Sequence, residues 1–165
     1  MQLLSFQIEY LTFLLSKDLS VIQRILLIDD DPDESIIFRY ALNKIDSSLE
    51  FRHLTCPGDV SEEDKNYLLD IVFLDINMPE KDGFEWLKCI RSKGHKFPVV
   101  MYSTSKDASF LNRAYTEGAD LYVHKPTSVN ILIDCLRSIL LLNWKYPREI
   151  TAQYIKKDGY QAFGD

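Results

Sequence analysis

Cysteine is scarce: of 165 residues only Cys56, Cys89 and Cys135 are cysteines, odd in number, far apart and in no C-x-x-C spacing. A disulfide framework and a zinc centre are therefore unsupported, and reduced, buried thiols in a cytosolic protein are the expectation. Histidine is equally rare, and His53, His95 and His124 stand at no metal-ligand spacing. Positive charge is in short supply as well. Nineteen Lys and Arg against 25 Asp and Glu leave a net charge of -6, which disfavours a nucleic-acid surface and makes any acidic focus a place for cations. Long apolar runs are missing too. The amino end, LLSFQIEYLTFLLSKDL, has neither the basic region nor the small-residue cleavage site of a signal peptide, and Gln7, Glu9, Thr12 and Ser16 interrupt it too often for insertion into a membrane. No internal repeat or low-complexity tract is present.

What remains is an ordinary globular composition, 46% apolar and 27% charged, at a length that suits one domain with ends to spare. Residues 1–23 read as an extension: Leu4, Ile8, Leu11 and Leu15 recur at helical spacing, although Phe6, Ile8 and Tyr10 also fit a strand. An amphipathic helix there would dock on its own domain, on a second copy to give a homodimer, or on a partner, unless the segment lies outside the native structure.

From Arg24 onward short apolar runs alternate with longer amphipathic stretches. Strands are expected at Ile25–Ile28, Phe51–Leu54, Ile71–Leu74, Pro98–Tyr102 and Leu121–His124. Helices are expected at Pro32–Ile45, from Gly83 to Arg91, from Ser105 to Glu117 with Gly118 as the stop, and from Ser128 to Trp144. Between Cys56 and Leu69 the pattern suggests a loop and then a short helix. Five β-α units in a row imply a parallel sheet with helices on both faces, here over residues 24–144.

In such a sheet the residues just after the strands share one rim, where ligand crevices form. That rim holds Asp29, Asp30 and Asp31, then Asp75, then Ser103 and Thr104, then Lys125 and Pro126. Clustered carboxylates repel unless they share a proton or a cation, and an oxygen-only donor set suits Mg2+. Asp75 could then act as a nucleophile toward a phosphoryl group, with Lys125 as its ion-pair partner and Ser103 as a hydroxyl donor. Read one at a time these residues mean little. Asp29 to Asp31 could simply cap the following helix, Asp31 most plainly, while Asp75 could be a turn residue and Tyr122 a core aromatic.

The motifs ILLIDDD at 25–31, FLDINMPEKDG at 73–83, PVVMYST at 98–104 and GADLYVHKP at 118–126 occur in order, and together they resemble the receiver domain of two-component response regulators. The resemblance implies a flavodoxin-like, doubly wound (βα)5 fold with strand order 2-1-3-4-5. It implies that Asp75 is a phosphoacceptor fed by a sensor histidine kinase or a histidine phosphotransfer protein. Mg2+ would be bound by Asp75, by Asp30 directly, by Asp29 chiefly through water and by the backbone carbonyl of Asn77. Ser103 would be the switch hydroxyl, Lys125 the phosphate-pairing lysine and Tyr122 the aromatic that turns inward, with Pro126 in a cis peptide. Asn77, Thr104 and Ser105 would tune the lifetime of the phosphate.

Two departures stand out: Ser103 replaces the commoner threonine, and residues 56–69 lack a clear alanine-containing helix. The segment 145–165 is too short for a DNA-binding or catalytic output domain. The expectation is therefore a stand-alone cytoplasmic module, catalytic only toward its own phosphorylation and dephosphorylation, that signals to an unknown downstream protein through the face near Tyr122. The alternatives are a phosphorylation-independent scaffold and an aspartate-nucleophile phosphatase, which would want an acid where Asn77 stands.

Overall fold

The computed structural model describes residues 22–55, 69–79 and 82–164. The amphipathic helix expected within residues 1–23 and the loop and short helix expected between Cys56 and Leu69 lie, but for residues 22, 23 and 69, outside the described residues.

Five strands, β1 (Arg24–Ile28), β2 (Glu50–Leu54), β3 (Ile71–Asp75), β4 (Val99–Ser103) and β5 (Leu121–His124), form a parallel sheet in the order β2-β1-β3-β4-β5. This is the flavodoxin-like order expected. β3 is buried along its whole length, as a central strand covered on both faces must be, and its continuous apolar run IVFL follows from that. The register sets Asp75 beside Tyr102 and Ser103 beside His124, so these strands end on the same rim.

Helices α1 (Pro32–Ile45), α2 (Gly83–Ser92), α3 (Ala108–Thr116) and α4 (Val129–Leu140) cover the sheet. Alternation along the strands sorts the core into two layers. Ile25, Leu27, Phe73 and Tyr102 meet Phe38 and Leu42 of α1 and Leu132 and Leu136 of α4. Leu26, Leu74, Met101 and Tyr122 meet Phe84 and Leu87 of α2 and Ala114 and Tyr115 of α3. Each fully buried large side chain contributes about 1.5–3 kcal/mol relative to exposure. No described helix is long and apolar enough to cross a membrane.

Helix starts follow their caps. Asp31 accepts from the Asp33 N–H and Ser128 from the Ile131 N–H, as their positions suggest. The third helix begins three residues later than expected, because Ser105 is held in the preceding loop and Asp107 takes the cap position. The last helix stops at Leu140, short of the expected Trp144. The Trp144 indole folds back and donates to the Ile139 carbonyl, and Pro147 opens a new short helix, α5 (Pro147–Ala152). Beyond it, β6 (Ile155–Lys156) and β7 (Gly159–Tyr160) form an antiparallel hairpin, and Phe163 bridges Val123 on the edge of β5. Cys89 and Cys135 are free and half-buried rather than fully buried, because both lie on helix flanks.

Candidate functional site

Asp29 follows β1, whose last residues are buried, and its side chain is fully buried. It is held from three sides. One carboxylate oxygen accepts from the Asp31 N–H at 3.0 Å, the other accepts from Lys125 Nζ at 2.6 Å, and the backbone carbonyl accepts from His53 Nε2 at 2.7 Å. Asp75 closes β3 with 4% exposure, 3.3 Å from the same Lys125 ammonium. Asp30 completes the group: a carboxylate oxygen from each of Asp29, Asp30 and Asp75 lies within 4.8 Å of the others.

Two buried acids beside one lysine have opposed effects on proton affinity. Burial raises the Asp75 pKa above the usual carboxylate range and the neighbouring Asp29 charge adds to this, against the attraction of Lys125. Burial works against the charge of Lys125 in turn, yet its hydrogen bond to Asp29 and the charges of Asp75 and Asp29 lift its pKa above the ordinary value. Lys125 also lies 5.2 Å over the Tyr102 ring, whose hydroxyl donates to Glu34 at 2.9 Å. Burial and the Glu34 charge push the Tyr102 phenol well above its usual range, so it stays a neutral donor.

Ser103 is fully buried at the end of β4. Its hydroxyl oxygen accepts from the Ser105 N–H at 3.1 Å, and its carbonyl accepts from the Lys125 N–H at 2.8 Å. Tyr122 is buried, with its hydroxyl donating to the Ser105 carbonyl at 3.0 Å. Asn77 and Thr104 are exposed on the flanking loops. The structure thus brings together Asp29, Asp30, Asp75 and Lys125, and links Ser103 to Tyr122 through Ser105.

One expectation fails. No described peptide bond is cis, so the Lys125–Pro126 bond is trans. Trans is the intrinsic preference even before proline, by about 0.5–1 kcal/mol. With that isomer the Lys125 N–H already meets Ser103 and its ammonium already reaches Asp29 and Asp75.

Four residues were not legible as site residues. His53 belongs to β2 and reaches Asp29 only because the sheet order makes β2 the neighbour of β1. Glu34 and Tyr102 are 68 residues apart and carry no shared motif. Gly83 was legible only as the start of a helix. A Cβ there would stand 2.2 Å from the Asp75 carbonyl oxygen, so glycine alone lets α2 start directly beneath the acid.

The donor set fits a hard divalent cation: three carboxylates, two of them buried, with no soft ligand among them. Among the described residues, Lys125 pairs with two of these carboxylates, Asp29 and Asp75.

Among solved structures, the chain is similar to the Vibrio cholerae chemotaxis protein CheY4, with a TM-score of 0.62 at 21% identity over 73% of this chain and 99% of that one. It is similar also to the phosphorylated cyanobacterial phytochrome response regulator RcpA, with a TM-score of 0.63 at 24% identity over 72% of this chain and 91% of that one. At these identities the likeness speaks for the fold. Among curated proteins, the heme response regulator HssR of Staphylococcus aureus is 33% identical over 120 residues, 70% of this chain and 50% of that protein. The transcriptional regulatory protein LnrK of Bacillus subtilis is 32% identical over 96 residues, 58% of this chain and 44% of that protein. The chain therefore spans half or less of the length of these curated relatives. The model of the response regulator receiver domain matches residues 25–137, which is most of the chain, and the chain belongs to that family.

Proposed function

We propose that the chain is a phosphoacceptor in a two-component pathway, taking a phosphoryl group on Asp75 from a phosphohistidine of a sensor kinase or a phosphotransfer protein. A carboxylate oxygen of Asp75 attacks phosphorus, the P–N bond to the donor histidine breaks, and the imidazole leaves with its electron pair and takes up a proton. The product is an acyl phosphate. The observation that carries this reading is the convergence of Asp75, two further carboxylates and the Lys125 ammonium at one buried strand end.

Asp29, Asp30 and Asp75, with the Asn77 carbonyl, would hold Mg2+, which when bound supplies charge neutralisation for the incoming phosphoryl oxygens. The protein's own residues do the rest. Lys125 already sits 3.3 Å from Asp75 and can follow the new negative charge outward. Ser103 can donate its hydroxyl proton to a phosphoryl oxygen while its oxygen keeps the Ser105 N–H. Pairing of His53 with the Asp29 carbonyl fixes the turn that carries Asp29 and Asp30. Asn77, Thr104 and Ser105 flank the approach of the hydrolytic water and set how long the phosphate persists. Asn77 also stands where an aspartate-nucleophile phosphatase would need its second acid, which supports a signalling role over turnover of external substrates.

We read residues 24–144 as the receiver domain and the chain as a cytoplasmic signalling module whose output is docking on a downstream protein or self-association. The test is phosphotransfer from a kinase or small-molecule phosphodonor with Mg2+. The wild type should become labelled, and Asp75→Ala should not. Equal labelling of both would overturn the assignment of Asp75.

A further inference from the structure

β5 is an edge strand, and an open edge leaves backbone donors and acceptors exposed. In this chain the segment after α5 covers it. The Phe163 N–H donates to the Tyr122 carbonyl at 2.8 Å, in a parallel bridge between Val123 and Phe163. Ala162 is fully buried in the layer that contains Tyr122 and Tyr115. Tyr160 stacks on Tyr115 with 4.6 Å between ring centroids, and its N–H donates to Asn112 Oδ1 at 3.1 Å. The Tyr115 hydroxyl donates to the Gln161 carbonyl and accepts from the Tyr122 N–H, both at 3.2 Å.

Tyr122 is thereby gripped at its backbone N–H and C=O from this side, while its hydroxyl holds the Ser105 carbonyl on the other. Ser105 in turn is bonded to Ser103. A continuous set of direct contacts runs from the rim of the Asp75 site to Phe163. Ser103 can turn its hydroxyl proton to an oxygen on Asp75 without giving up the Ser105 N–H, so the Ser105–Tyr122 bond need not break when the site is loaded. Swinging the Tyr122 ring away would break its bond to Ser105 and open the layer that Ala162 and Tyr160 help to close.

We propose that residues 159–164 are a built-in clamp on the β5 edge that holds Tyr122 in its buried, Ser105-bonded pose, so that docking of the clamp and occupation of the Asp75 site stabilise one another. This rests on Asp75 being the phosphoacceptor. Linkage makes the effect reciprocal: a loose clamp weakens occupation of the site, and occupation tightens the clamp.

The experiment uses the full chain with Mg2+ and beryllofluoride as the phosphoryl mimic, read by bound-fluoride NMR and by amide exchange at Phe163. Gly159→Val loosens the clamp directly, because Gly159 has φ +140 and an added Cβ would meet Asn112 Oδ1 at 2.7 Å. Asn112→Ala removes the acceptor of the Tyr160 N–H without touching the clamp's own sequence. Loading should slow exchange at Phe163 in the wild type. Both variants should exchange faster there and need at least about fivefold more beryllofluoride for half-loading, the lower end of common coupling strengths. If both variants exchange faster yet load at the wild-type concentration, or if loading speeds exchange at Phe163, the clamp is overturned while Asp75 stands. If the wild type does not load, or Asp75→Asn loads equally, the phosphoacceptor reading falls and the clamp with it.

Discussion

Lys125 rests closer to Asp29 than to Asp75: its ammonium is 2.6 Å from the first carboxylate and 3.3 Å from the second. It therefore serves as the resident countercharge of the buried acidic pair, beyond any role toward a phosphate. Removing it leaves Asp29, which is fully buried, beside Asp75 without compensation. Lys125→Ala should destabilise the fold by about 3–5 kcal/mol, the usual cost of stranding a buried charge. Millimolar Mg2+ should restore part of that loss, raising the melting temperature of the variant more than that of the wild type. Equal shifts in the two would mean that the cation and the lysine do not compete for the same carboxylates.

Gly83 and Asp75 form a second tight relationship. A methyl group on Gly83 would press on the Asp75 carbonyl at 2.2 Å and on the Ile76 Cα at 2.9 Å, both backbone atoms with little room to move. Gly83→Ala should cost about 1–3 kcal/mol in urea unfolding, as overpacking commonly does. It should also lower phosphodonor labelling of Asp75, since the strand end must shift to relieve the contact. Gly94→Ala is the control: its Cβ would meet nothing within 4 Å, and its φ of +78 confines the penalty to local backbone strain far from labelling.

The parts that could be read from sequence were those governed by local chemistry. The IVFL run, the Asp31 cap and the order of five β-α units each follow from residues within one element, and the rim then follows from the parallel topology. What escaped reading depends on tertiary partners. Trp144 looks like helix by spacing, yet its indole finds the Ile139 carbonyl and turns the chain. His53 gains its place beside Asp29 from sheet order alone. The stretch 145–164 carries no periodic pattern, because its residues dock one at a time on Asp120, Tyr115, Asn112 and Tyr122. Pro126 shows the opposite error, in which a resemblance supplied a cis bond that the local geometry does not contain.

Cys135 should differ in reactivity from a free cysteine. Burial pushes the Cys135 thiol up to about 11. Thiolate is the reactive form, so at pH 8 Cys135 is almost wholly protonated. Site-resolved mass spectrometry after iodoacetamide treatment should find it modified far more slowly than a free cysteine, whose pKa lies near 8.5, and should find the rate rising steeply only toward pH 11. Rapid modification at pH 8 in the folded protein would show that the α4 flank opens readily.

Asp70 gives a pH dependence with a definite sign. Burial alone would raise its pKa, but bonds from the Arg24 guanidinium and from the backbone N–H groups of Arg24 and Gln23 outweigh this and hold it below the usual value. A carboxyl group depressed in the folded state contributes stability that is fully present above its unfolded pKa of about 3.9 and is lost as pH falls through the lower folded value. Asp70→Asn keeps the shape and one acceptor oxygen while removing the charge. It should cost about 1–3 kcal/mol at pH 7, in line with lost hydrogen bonds to a charged group. The gap from wild type should stay constant from pH 7 to about pH 5 and narrow steadily toward pH 3, as wild-type Asp70 itself takes up a proton. Thermal melts across that range measure it directly. A gap that holds its size at pH 3 would mean that the Asp70 bonds owe nothing to its charge, and that the start of β1 is fixed by geometry alone.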